Sequence, residues 1–210
     1  MRKDAKRRYH SPLRERKAAA TKAAICDAAA RLFVQDGYLL TSMRAVAAEA
    51  GVGERTVYAA FPTKRDLFVH CLWVATRVDD VDAATQLLRR TSDADEPTEV
   101  LAAAVDFGYD LMDRAGALIY AIVEAAASDP DLAALHVTGR DRMLESLREV
   151  TKRLDELDAL ADGVSPQEAA DILYVLMSSH VRHLLVEHRG WTTDRYREFL
   201  HNVAASQILR

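Results

Sequence analysis

Apolar positions in this chain recur at helical spacing, and they do so in stretches separated by a few glycines and prolines. Cys26, Ala29, Ala30 and Phe33 mark one stripe, with Ile25 and Leu32 beside it. Ser11-Pro12 opens that helix as an N-cap followed by proline at the first helical position, and Gly37 closes it. Two short helices follow, about 42–50 and 54–61, with Gly51 between them and Pro62 after them. Thr63 and Asp66 form a capping pattern for a longer helix to about Asp79, whose stripe is Leu67, Cys71, Val74 and Val78. Val, Ile and Thr seldom alternate with polar residues, so strand signals are weak.

The second part of the chain reads the same way. The polar stretch 91–96 predicts a linker, and Pro97 opens a helix to about Arg114 that Gly116 ends. Residues 117–127 predict an apolar helix stopped near Asp129-Pro130. Residues 131–158 are helical, with a break near Thr138-Gly139. Ser165, Pro166 and Glu168 start a helix running to about Glu187, and a last helix spans about Thr193 to Leu209. The expected fold class is all-α: a basic disordered arm at 1–10, a helix-turn-helix domain at 11–62, a connecting helix at 63–79, and a second helical domain at 80–210.

A helix as short as Glu54–Phe61 is marginal alone in water, so its neighbours must brace it. Val46, Ala47 and Ala50 can face Val57 and Ala60, with Val52 plugging the turn. Gly51 stands where the turn needs a positive φ. The opposite face then offers Glu54, Arg55, Thr56, Tyr58 and Ala59, and the major groove of DNA admits such a helix. Arg55 suits a phosphate or a guanine edge, and Arg44 suits a DNA contact by its charge and placement. Thr56 and Tyr58 carry hydroxyls that suit phosphate oxygens, Lys64 is placed for a backbone contact, and Thr41 is a further candidate DNA contact.

Charge sharpens this picture. The chain carries a net −4, but residues 1–75 balance at +7 and residues 76–210 at −11. Only the first third is suited to a polyanion. The two cysteines, Cys26 and Cys71, make neither a zinc motif nor a disulfide framework and read as reduced core residues of a cytoplasmic protein. No apolar run reaches the ~18 residues of a membrane span. Neither H-E-x-x-H, a Walker loop nor G-x-S-x-G is present, so no enzymatic activity and no cofactor are expected. His180, His183 and Glu187 have a metal-compatible spacing, but with no second cluster the expectation is no metal site.

The stretch TSMRAVAAEAGVGERTVYAAFPTKRDLF resembles the N-terminal DNA-binding domain of the TetR family of transcriptional regulators. The resemblance rests on Thr41, Gly51-Val52, Thr56-Val57-Tyr58, Phe61, Lys64, Asp66 and Leu67 and covers roughly residues 20–70. HLLVEHRGWTTDRY near the end is similar to the close of many family members. The resemblance implies a homodimeric regulator, most often a repressor, whose C-terminal domain binds a small molecule that weakens operator binding. The alternative is a constitutive or architectural DNA-binding protein without ligand control. Gly53 stands where the family often has serine, and Ala60 where it often has His or Tyr. Fewer polar groups on the recognition helix leave more to Arg44, Arg55, Thr41 and the basic tail. Arg2, Lys3, Lys6, Arg7 and Arg8 resemble arms that enter the minor groove, or serve only as a solubilising tail.

For the acidic part, candidate ligand-lining residues are Phe107, Tyr109, Tyr120, Glu124, Met143, Tyr174, Met177 and His180, between helices where pockets form. Leu173, Leu176, Leu184, Phe199, Leu200 and Val203, on the last two helices, are the candidate dimer interface, in a four-helix bundle matching a palindromic site.

Overall fold

The computed structural model describes residues 12–92 and 94–210. The predicted basic arm and the Ser11 cap lie outside them. The described chain is helical, with two isolated β-bridges and no sheet. The first half comprises α1 (Pro12–Gln35), α2 (Gly37–Leu40), α3 (Met43–Glu49), α4 (Glu54–Ala60), α5 (Lys64–Thr76) and α6 (Ala83–Ser92). The second comprises α7 (Pro97–Ala126), α8 (Pro130–Glu156), α9 (Pro166–Leu176), α10 (Ser179–Arg182), a π-helical turn (His183–His188) and α11 (Thr193–Ile208).

Four boundaries differ from those expected. The helix α5 stops at Thr76 because Arg77 is extended, and Asp79 and Asp80 take positive φ to turn the chain, with Val78 and Val81 bridging. The turn leads into α6, which the pattern missed. Asp82 starts it, its carboxylate accepting from the Thr85 amide at 3.1 Å. Gln86 is buried and donates to the carbonyls of Thr76 and Val81, so a polar residue sits on the inward face and blurs the stripe.

Gly116 does not end a helix. It lies within the continuous α7, where a Cβ would meet Arg182 Cδ at 3.3 Å. Gly139 likewise lies inside an unbroken α8. Conversely, the single helix expected over 166–187 breaks at Ser178. Ser178 is extended (ψ 148°) and its hydroxyl accepts from the Val181 amide, capping α10. Serine competes with the helix ladder for backbone donors, and the chain restarts here and then widens into a π turn.

The buried side chains form two cores. One joins α6, α7, α8, α9 and α11 around Phe107, Leu147, Leu173, Tyr196 and Leu200. The other joins α1 and α3–α5 around Ile25, Phe33, Val57, Leu67 and Phe68. This second core also takes in Leu118, Ala121, Ile122 and Ala125 of α7 and Leu132 of α8. The N-terminal helices are therefore seated on the far end of α7 rather than joined to the rest through α5 alone.

Candidate nucleic-acid interface

Helices α3 and α4 are set by local chemistry before any tertiary contact. The Ser42 hydroxyl accepts from the Ala45 amide at 3.1 Å and starts α3. Gly51 has φ +66°, a conformation that costs other residues a Cβ clash. The Val52 amide then returns to the Ala47 carbonyl at 3.0 Å and closes the turn. At the start of α4, Gly53 supplies an extended backbone but no side-chain cap. Its carbonyl accepts from the Thr56 and Val57 amides.

Val57 is fully buried and Phe61 nearly so, against Val46, Ala47, Ile25 and Leu67 of the second core. With Val57 inward, helical geometry turns Glu54, Arg55, Thr56, Tyr58 and Ala59 outward, and all five are exposed. Tyr58 keeps 49% of its surface accessible, which is high for a tyrosine on a packed helix. Arg44 on α3 is adjacent, its guanidinium 3.8 Å from the Glu54 carboxylate with its side chain 87% exposed. Arg44, Arg55, Thr56 and Tyr58 thus share one continuous outer surface. Below it, Arg31 of α1 pairs with Glu49 of α3 at 3.0 Å and fixes the pair to the long helix.

Thr41 and Lys64 are not part of that surface. Thr41 is 2% exposed, and its hydroxyl donates to the Gly37 carbonyl at 2.8 Å, closing α2. Lys64 turns its ammonium onto the carbonyls of Tyr38, Leu39 and Thr41. Burial lowers its pKa from the ordinary lysine value. Both residues fasten α2, a four-residue helix that the sequence pattern did not reveal. A signal existed in Gly37 followed by three large residues, but the partner for the carbonyls of Tyr38 and Leu39 lies 25 to 26 residues away. Leu39 and Leu40, 65% and 82% exposed, stand at the edge of this corner and were not singled out.

The candidate ligand residues divide. Phe107 and Met177 are core side chains, and Met177 lies so close to Gly108 that a Cβ there would approach its Cε to 2.4 Å. Tyr109 packs on Tyr196, and Met143 and Tyr174 lean on the same core. Tyr120 stacks on His183 at 4.0 Å and meets His180 edge-on at 5.4 Å. Glu124 is exposed. None of these eight lines either of two clefts on the molecule. A cleft of about 370 Å³ lies between α1, α7 and the π turn, lined by Val34, Asp113, Arg114, Leu118, Arg182 and Glu187 among others. Another, of about 430 Å³, follows α5 along Arg65, Val69, His70 and Trp73. Among the described residues no group of three or more His, Cys, Asp or Glu is placed to hold a metal ion.

The candidate interface residues divide too. Leu173, Leu176 and Leu200 are buried within the chain's own core. Phe199 and Val203 are half-buried, and Leu184 is 57% exposed, as is Val175. No described helix is long and apolar enough to cross a membrane.

Residues 25–71 match the family described as bacterial regulatory proteins, tetR family. No curated protein matches the chain in sequence. Among solved structures, NalD, the secondary repressor of the MexAB-OprM multidrug efflux pump in Pseudomonas aeruginosa, is similar with a TM-score of 0.72 at 21% identity. That match covers 92% of this chain and 98% of NalD. A transcriptional regulator from Saccharomonospora viridis in complex with choline has a TM-score of 0.74 at 18% identity, covering 91% and 99%. AibR in complex with isovaleryl coenzyme A and operator DNA has a TM-score of 0.66 at 20% identity, covering 89% and 97%. Likeness at these identities is a likeness of fold.

Proposed function

We propose, from the match of residues 25–71 to the tetR family of bacterial regulatory proteins and from the likeness of fold, that the chain is a ligand-responsive transcriptional repressor of that family. It binds a palindromic operator as a homodimer and is released by a small molecule. The observation that carries this reading is the outer face of α4. Arg55, Thr56 and Tyr58 are exposed on a helix whose other side, Val57 and Phe61, is locked into a core. That is the geometry of a recognition helix entering a major groove: Arg55 reads a base edge or phosphate, Thr56 and Tyr58 bond phosphates, and Arg44 adds charge.

One such helix reads only a few base pairs, so operator-level specificity takes two copies spaced about one turn of DNA apart. The outward residues of the last helices, Val175, Leu184, Phe199 and Val203, suit a second copy, while Leu173, Leu176 and Leu200 stiffen the helices from within. A ligand acts by binding two states unequally. Here the route for its effect is α7 itself. Ligand near its middle displaces a rod whose end, Leu118 to Ala125, shares a core with α1 and α5. Arg65 at the start of α5 adds a second link, pairing with Asp129 at 3.3 Å and with Asp131 at the start of α8. That NalD is a repressor and that AibR was crystallised with both isovaleryl coenzyme A and operator DNA supports the reading by analogy of fold.

The test is selection of duplexes from a random pool by the purified full-length protein. The expected product is an inverted repeat with half-sites about one helical turn apart. Recovery of unenriched sequence, or of a single half-site without a repeat, would overturn the homodimeric operator reading. Adding candidate effectors to the selected operator then tests ligand control, because the constitutive alternative predicts unchanged affinity under every compound that stabilises the protein.

A further inference from the structure

The second core contains a pair of thiols that neither operator binding nor ligand control uses. Cys26 of α1 and Cys71 of α5 are 45 residues apart in sequence, yet their Sγ atoms lie 3.0 Å apart. Both are buried, at 6% and 2% exposure. A disulfide needs about 2 Å between the sulfurs, so roughly 1 Å of approach separates two thiols from a bond. Two helices already packed face to face can supply that without breaking contact.

We propose that Cys26 and Cys71 are a redox modification site: under peroxide they form an intramolecular disulfide that staples α1 to α5 within native packing. The bond would join the long helix to the helix whose first turns, through Leu67 and Phe68, back the recognition helix. It would therefore fix the frame on which α4 is seated.

The chemistry is balanced with hydrogen peroxide as oxidant. Cys26 retains the greater surface, and its pKa is lowered from the ordinary thiol value because the hydrogen bond with Cys71, helped by the charge of Lys22, outweighs burial and the charge of Asp27, which raise it. The Cys71 thiol is pushed up by the same pairing and by burial. The Cys26 thiolate attacks one peroxide oxygen, the O–O bond breaks, and hydroxide leaves a sulfenic acid. The Cys71 sulfur then attacks the sulfenic sulfur and loses its proton, the S–O bond breaks, and water departs. Two thiols and one peroxide become one disulfide and two waters, the two electrons passing to the peroxide oxygens.

The test uses the full chain oxidised while folded, freed of peroxide, and then unfolded with an alkylating reagent. The reduced protein should take two alkyl groups. The oxidised protein should take none, lose two hydrogen masses, remain monomeric on a non-reducing gel, and yield a linked Cys26–Cys71 peptide. Its denaturation midpoint should rise above that of the reduced protein and fall back with reductant. Cys26→Ser and Cys71→Ser should each abolish the oxidant-dependent rise; if a buried serine prevents folding, Cys26→Ala serves the same purpose. Two alkylatable thiols surviving treatment, a gain of oxygen mass, disulfide-linked dimers, or a lowered midpoint would each overturn the proposal.

Discussion

The ammonium of Lys64 lies 2.8 Å from the carbonyl oxygen of Tyr38 and 4.5 Å from the centroid of the same residue's ring. One cation thus closes the carbonyl end of α2 and covers an aromatic side chain that itself packs against Phe33 and Phe68. Lys64→Ala leaves three carbonyls at that corner without their charged donor. The expected loss is about 1–2 kcal/mol of folding stability, read from denaturant unfolding. Operator affinity should fall with it, because the corner beside the recognition surface loosens. Unchanged stability would mean that water replaces the ammonium at no cost.

Substitutions on the outer surface of α4 should behave differently. Tyr58→Phe and Arg55→Ala change exposed groups and should leave unfolding midpoints nearly unchanged. Tyr58→Phe should weaken binding to all sequences alike. Arg55→Ala should cost about 1–3 kcal/mol on the preferred operator and relax choice at one base pair. A selection experiment that returns the parental motif from Arg55→Ala would exclude base reading by this residue.

Gly108 and Met177 form a matched pair across α7 and the end of α9. Gly108→Ala drives a methyl into Met177, whose Sδ, Cγ and Cε all lie within 2.9 Å of the added atom. The expected penalty is about 1–3 kcal/mol. Met177→Ala alone leaves a void and is also destabilising. The double variant should recover part of both losses, and additive penalties in a double-mutant cycle would show that the two sites do not share this contact.

Asp106 of α7 accepts hydrogen bonds from Arg197 at 2.7 Å and from His201 at 2.8 Å, tying α7 to α11. Burial raises its pKa, but the two donors outweigh that, and the net shift is below the usual carboxylate value of 3.8. A carboxylate depressed in the folded state contributes stability above its unfolded pKa, and that contribution is lost as pH falls through the folded value. Wild-type stability should therefore decline on acidification below about pH 4, and Asp106→Asn should flatten that decline while lowering stability at neutral pH. Midpoints measured across the acid range, with both proteins showing the same slope, would rule out this role.

Much of this was legible from the residues. The cap and turn chemistry of Gly51, Thr63 with Asp66, and Ser165 with Glu168 acts within four residues, and the elements it starts are where the pattern put them. The inward set of Val46, Ala47 and Val57 follows from helical period alone, and with it the outward set of Arg55, Thr56 and Tyr58. The signals that misled were local ones overruled by distant partners. Gly116 looked like a helix end but sits opposite Arg182, where a small residue lets two helices approach. The helix over 166–187 looked continuous, yet Ser178 breaks it and Met177 takes its place against Gly108.

The sequence by itself determined the helical class, the helix-turn-helix and the face it presents, because capping, turn geometry and apolar period are properties of neighbours a few positions apart. Only the tertiary structure decided that Thr41 and Lys64 hold a corner, that Leu173 and Leu200 serve the chain's own core, that α7 carries the N-terminal helices on its end, and that two cysteines meet. Each of these depends on which of several equally apolar or polar surfaces comes together across tens of residues. The free energy of that choice lies in close packing and desolvated pairing, which no short window of residues contains.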